Sequence, residues 1–118
     1  MSRVRLITYV LSYDNLRAPS GDAFGFTWCG QELLIGRATK HFLGWTPESK
    51  ELRLADDLLS QSHVRISRKP HGDVLRDLGS KNGTFVNGER VQERVLADHD
   101  LIEVGHSLLC YRAVDQRL

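Results

Sequence analysis

The stretch Asp77-Leu78-Gly79-Ser80-Lys81-Asn82-Gly83-Thr84-Phe85-Val86-Asn87-Gly88 contains two Asn-Gly pairs five positions apart. Asn and Gly accept the positive φ angles that a tight hairpin turn demands, so each pair predicts a turn. Between them, Thr84 to Val86 has room only for a short strand. A strand held between two turns points to an all-β chain, and the sequence on either side reads the same way.

Short apolar runs with a period of two recur along the chain, separated by Gly, Asn, Asp or Pro. In Ala23 to Trp28, the side chains Phe24, Phe26 and Trp28 share one face and Ala23, Gly25 and Thr27 the other, the pattern of a strand with one buried side. Arg3 to Leu11 is apolar with interspersed polar residues. Leu33 and Ile35 alternate before Gly36, Val64 and Ile66 after His63, and Ile102 and Val104 before Gly105. Further turn signals stand at Ser20-Gly21-Asp22 and His71-Gly72-Asp73. Many short strands with regular turns predict a sandwich or barrel. One segment competes with this reading. Thr46-Pro47-Glu48 offers a helix cap, a first-turn proline and an early acid, and Leu52, Ala55 and Leu59 follow at near-helical spacing. The stretch from Arg37 to Glu51 reads as a long loop.

With 118 residues, 41% hydrophobic and 26% charged, the chain suits a single domain spanning 1–118. Sixteen Lys and Arg against fifteen Asp and Glu leave no global positive excess for nonspecific binding to nucleic acid, so anion recognition has to be local. Cys29 and Cys110 lack the spacing of a zinc knuckle or redox pair, which suggests a reducing compartment. No apolar run approaches the roughly 18 residues of a membrane span, so the expectation is a cytoplasmic protein without a membrane partner. The five histidines contain no pair at metal-ligand spacing, and there is no phosphate-cradling nucleotide loop, so neither metal nor cofactor is expected. Ser60, His63 and Asp77 are triad residue types, but Ser60 lacks a nucleophile-elbow motif and the chain is small for a hydrolase. An enzyme is not expected.

Three clusters remain: Gly36-Arg37, Ser60-Gln61-Ser62-His63 and the Asp77 to Gly88 stretch. Each falls at a strand end or turn, where side chains from different loops can converge on a rigid scaffold. Arg37 offers a planar fork of donors, Ser60 and Ser80 hydroxyls, Lys81 a compact cation, and Gln61 and Asn82 amide donors. That inventory suits a small oxyanion such as a phosphorylated side chain, which carries about −1.5 to −2 charges near neutral pH.

The ordered set GR, SQSH followed by VRI, DLGSKNGTFVNG and a later DLIEVG resembles the forkhead-associated (FHA) domain, a family of phosphothreonine-peptide readers, over about residues 33 to 112. The resemblance implies an FHA-like β-sandwich of about eleven short strands with binding loops at one end. It implies Arg37 as main phosphate ligand and Ser60 as a second, with Gln61 and Lys81 beside the phosphate. Asn82 would bond the peptide backbone just after the phosphothreonine, and His63 would brace the loop. Gly36, Gly83, Asn87 and Gly88 would set loop geometry. The partner implied is a phosphothreonine-containing protein or peptide, met by one module of a larger signalling or regulatory protein.

The sequence departs from the family pattern in three places. Gln61 stands where a basic residue is common, Lys81 stands where threonine is usual, and the loop between Arg37 and Ser60 is longer than typical, carrying His41, Trp45 and Lys50. The resemblance also puts LRLADDLLS in a strand and loop, leaving room for a helix only around Pro47 to Lys50. The alternative on the same fold is phosphate-independent docking or self-association, motivated by the missing charge at Gln61.

Overall fold

The computed structural model describes the backbone of residues 2–11, 23–28, 31–38, 44–46 and 51–116, and side chains within 31–38 and 51–113. The described residues form twelve strands: β1 (Ser2–Leu11), β2 (Ala23–Trp28), β3 (Glu32–Arg37), β4 (Gly44–Thr46), β5 (Glu51–Leu54), β6 (Val64–Lys69), β7 (Gly72–Asp77), β8 (Thr84–Val86), β9 (Glu89–Arg90), β10 (Glu93–Val95), β11 (Leu101–Val104) and β12 (Ser107–Gln116). They make two six-stranded sheets, ordered β2-β1-β12-β11-β8-β9 and β10-β7-β6-β3-β5-β4. This is the expected β-sandwich.

Alternation explains why these segments are strands. In β3, Leu33 and Ile35 are buried while Glu32 and Arg37 are exposed; in β6, Val64 and Ile66 are buried and Arg65 is exposed. Leu52 and Leu54 of β5, Leu75 of β7, Val86 of β8, Ile102 and Val104 of β11 and Leu109 and Tyr111 of β12 join them in one core cluster. Apolar faces from both sheets thus leave water together, the main favourable term in holding a sandwich closed. Two buried carboxylates add fixed ties. Asp73 on β7 accepts the hydroxyl proton of Tyr111 on β12, in the opposite sheet. Asp56, after β5, accepts from the His106 amide at 2.8 Å and the Ser107 hydroxyl at 2.7 Å, reaching the β11–β12 turn.

The near-helical spacing of Leu52, Ala55 and Leu59 does not produce a helix. Residues 51–54 pair in parallel with β3, Leu34 opposite Glu51 through Arg37 opposite Leu54, and β4 pairs on the other side, Trp45 opposite Leu52. Ladder pairing on both edges outweighs a weak local pattern. Accordingly the stretch expected as one long loop contains β4. The turn at Ser20-Gly21-Asp22, the helix around Pro47 to Lys50, His41 and Cys29 lie outside the described residues.

The two Asn-Gly pairs behave differently. Asn87-Gly88 is a two-residue hairpin turn with φ of 51° and 83°, closing Val86 against Glu89. Asn82-Gly83 is not a hairpin, which corrects the sequence expectation. Only Gly83 has positive φ, at 88°, and the segment crosses from β7 in one sheet to β8 in the other. A turn dipeptide encodes local φ angles; which strand the chain pairs with next is settled by burial.

Register then gathers the loops. The end of β3 lies beside the end of β5, since they are parallel, and Ile35 faces Val64 at the start of β6, which faces Asp77 at the end of β7. Three segments therefore open at one end of the sandwich: the exit from β3, the 55–63 loop and the 78–83 crossing.

Candidate functional site

At that end, backbone hydrogen bonds lock the three segments to one another. The Arg37 amide donates to the Ser60 carbonyl at 3.1 Å, the His63 amide to the Ile35 carbonyl at 3.0 Å, and the Leu78 amide to the His63 carbonyl at 2.9 Å. Gly36 makes the first contact possible. A Cβ there would collide with the Gln61 carbonyl and come within 2.8 Å of Arg53 Nη1. Glycine is needed at this position for room, because the 55–63 loop runs directly over it.

His63 is fully buried between the loops. The Ser60 amide donates to its Nδ1 at 3.0 Å, so that nitrogen presents a lone pair and the ring proton sits on Nε2. Nε2 lies 2.8 Å from the Gly83 carbonyl and donates to it. One neutral tautomer thereby ties the 55–63 loop to the 78–83 segment, with both ring nitrogens used.

The 78–83 segment is organised around Asp77. Its Oδ2 accepts the Gly79 and Ser80 amides at 3.0 and 2.9 Å, and its Oδ1 accepts the Ser80 and Thr84 hydroxyls at 2.5 and 2.7 Å. The Ser80 oxygen in turn accepts the Gly83 amide at 3.0 Å. Burial pushes the Asp77 carboxyl up, but hydrogen bonds from Ser80, Thr84 and Gly79 outweigh it and hold the group below its usual range. The loop is thus ordered before any ligand arrives.

Where the expected ligand-binding side chains lie follows from this frame. Ser60 is half-buried, and its Oγ accepts the Lys81 amide at 3.1 Å, which leaves the hydroxyl proton free to be donated outward. Arg37 and Lys81 are exposed, and neither side chain has a hydrogen-bond or ion-pair partner among the described residues. Asn82 is exposed, and its Nδ2 donates to the Leu58 carbonyl at 2.9 Å, leaving Oδ1 and a second N–H proton. The Gln61 side chain is exposed as well, and the Gln61 backbone carbonyl accepts a bond from Arg53 Nη1 at 2.5 Å. Arg37, Ser60, Lys81 and Asn82 are thus brought to neighbouring loops. Asn87 and Gly88 sit apart, in the β8–β9 turn, where Asn87 bonds Asp100 at 2.9 Å and accepts the Leu101 amide at 2.9 Å.

Arg53 has a part that sequence reasoning missed. It lies opposite Gly36 in the β3–β5 register, pairs with Glu51 at 3.2 Å, and reaches across the bare glycine to the carbonyls of Gln61 and, at 3.4 Å, Arg37. Its only sequence signal is a cation in an alternating run, which any exposed strand shows. The exposed Leu58, whose carbonyl holds Asn82, was likewise not anticipated.

This arrangement presents two cations without a partner among the described residues, a free hydroxyl proton and amide donors on hydrogen-bonded loops, the components for holding an oxyanion. Among the described residues no helix is long and apolar enough to cross a membrane.

Comparison with known proteins places the geometry. The chain is 42% identical over 65 residues to FHA domain-containing protein FhaA of Mycobacterium tuberculosis, covering 55% of this chain and 12% of that protein. It is 33% identical over 82 residues to the oxoglutarate dehydrogenase inhibitor of Corynebacterium diphtheriae, covering 70% and 56%. The chain thus spans at most about half the length of these relatives. A solved domain from work on phosphothreonine-dependent FHA domain interactions superposes with a TM-score of 0.65 at 30% identity, covering 99% of this chain and 100% of that one. The FhaA FHA domain complexed with the intracellular domain of Rv3910 gives 0.61 at 30% identity, covering 91% and 99%. The FHA domain family model matches residues 33–105, the span that holds all three loops, and the chain belongs to the FHA domain family.

Proposed function

We propose that this domain binds a phosphothreonine-containing segment of a partner protein at the end where the β3 exit, the 55–63 loop and the 78–83 segment meet. The observation that carries the reading is that Arg37, exposed and without a side-chain partner among the described residues, is bonded through its amide to Ser60, whose hydroxyl oxygen is engaged by the Lys81 amide and whose proton remains free to donate. Membership of the FHA family and the likeness to a domain studied for phosphothreonine-dependent interactions support it.

In this reading Arg37 makes the principal charge-assisted bonds to the phosphate and Ser60 adds one from its hydroxyl. Lys81 supplies the positive charge that Gln61 lacks, and Gln61 contributes an amide. Asn82 bonds the peptide backbone with the proton and oxygen that Leu58 leaves free. His63, Gly36 and Gly83 position the loops without touching ligand. The domain acts as a binding module and performs no reaction. It serves as one part of a larger regulatory protein, in the cytoplasm, where ATP-dependent kinases phosphorylate threonine.

Calorimetric titration with a threonine peptide and its phosphorylated form tests this. The phosphorylated form alone should bind measurably, and Arg37→Ala should abolish that binding, because Lys81 is a point charge and cannot reproduce a two-pronged contact. Ser60→Ala should weaken it by about 1 to 2 kcal/mol. Equal affinity for the two peptides would replace this reading with phosphate-independent docking.

A further inference from the structure

Eight arginines have described side chains, and six of them bring a carboxylate within 4.0 Å: Arg53, Arg65, Arg68, Arg76, Arg94 and Arg112. The other two, Arg37 and Arg90, have no such partner among the described residues, and both stand at the loop end of the sandwich. Arg90 lies on β9, opposite Phe85, and is exposed. Its guanidinium covers Gly83: a Cβ there would sit 2.9 Å from Nε, 3.1 Å from Cζ and 3.3 Å from Nη2. The cation therefore rests against the residue that follows Asn82. Sequence reasoning did not single it out, because an arginine on a two-residue exposed strand carries no pattern.

Resting on the reading above, we propose that Arg90 is a specificity determinant of this site: it pairs with a second anionic side chain of the bound peptide, on the side of the phosphothreonine that passes Asn82. The physical case is that an unpaired, exposed guanidinium whose face is already steadied against a backbone loses little freedom on pairing, and retains its donors for an incoming carboxylate or phosphate. Carboxylates that would otherwise compete are engaged nearby, Glu89 with Arg94 at 3.9 Å and Glu93 with Arg76 at 3.3 Å.

The test is a set of phosphothreonine peptides with alanine at the positions after the phosphothreonine, into which a single Asp, Asn or phosphoserine is placed at each position in turn. Binding to wild type, Arg90→Gln and Arg90→Lys is measured by fluorescence anisotropy at low and high salt. At one position, wild type should favour Asp over Asn by about threefold to fivefold at low salt, the range of an exposed ion pair. High salt should shrink that preference. Arg90→Gln should abolish it without changing affinity for the Asn peptide, and Arg90→Lys should keep part of it. A larger gain for phosphoserine than for Asp assigns the second anion as a phosphate; the reverse assigns it as an acidic residue. The proposal is overturned if no position shows an anion preference, if the preference survives in Arg90→Gln, or if Arg90→Gln weakens all peptides equally and lowers the melting temperature. In that last case Arg90 merely covers Gly83. A wild type that binds the Asn peptide equally with and without its phosphate overturns the phosphothreonine reading, and this proposal with it.

Discussion

Replacing His63 by alanine should destabilise the domain more than any other single change at the loop end, and the structure sets the size. The ring is fully enclosed and satisfies two groups, the Ser60 amide and the Gly83 carbonyl. Gly83 is buried, and a buried acceptor left without a donor costs about 1 to 3 kcal/mol. Ser60 is half-buried, so water can recover most of its lost bond. Removing the ring also empties space that its neighbours cannot fully close, adding about 1 to 2 kcal/mol. The total is about 2 to 5 kcal/mol, a large share of the 5 to 15 kcal/mol that holds a typical domain. At about 4 °C per kcal/mol for a domain of this size, the melting temperature should fall by about 8 to 20 °C. Urea and thermal denaturation followed by circular dichroism measure this directly. His63→Gln, whose amide can still donate to Gly83, should recover about half of the loss. A change below about 1 kcal/mol for His63→Ala would refute the reasoning, since a buried residue with both nitrogens bonded cannot be that dispensable. Nitrogen-detected NMR supplies an independent check: the His63 ring should show its proton on Nε2.

Two further outcomes follow from the same contacts. The Asp77 carboxyl is held below its ordinary value of 3.8, so its contribution to stability is complete above that pH and is lost as the pH falls through the lowered value. Asp77→Asn should therefore be less stable near neutrality and show a shallower acid decline below about pH 4 in urea melts at stepped pH. Part of the decline should remain, because Asp98, bonded by the Ala113 amide and Arg112, is also lowered. Gly36→Ala should destabilise by about 1 to 3 kcal/mol, as overpacking does, and reduce phosphopeptide affinity as well. Its Cβ has no space short of moving the Gln61 carbonyl. An unchanged melting temperature would contradict the close approach described here.

How much was legible beforehand varied with the kind of interaction. Strands with one buried face announced themselves: Val64 and Ile66, and Ile102 and Val104, alternate in sequence because a strand alternates in space, and all four lie in the core. Asn87-Gly88 was equally readable, since the φ angles of a two-residue turn depend on those residues alone. For Arg37, Ser60 and Asn82, strand-end and turn positions suggested that they could converge, and resemblance to a family made the expectation specific, because no local rule says that residues so far apart in the chain share one end of a sandwich.

What the amino-acid sequence determined by itself was the class of fold, the strand faces, one hairpin and the inventory of donors suited to an anion, all set by periodicity and local backbone preference. Tertiary structure alone decided that Asn82-Gly83 crosses between sheets, that β5 forms where a helical pattern stood, and that Arg53 and Arg90 reach the loops from other strands. It also decided that the His63 ring bridges two of them. The reason is common to all four: strand pairing joins segments distant in sequence, and its register is chosen by the apolar surface that the whole chain buries at once.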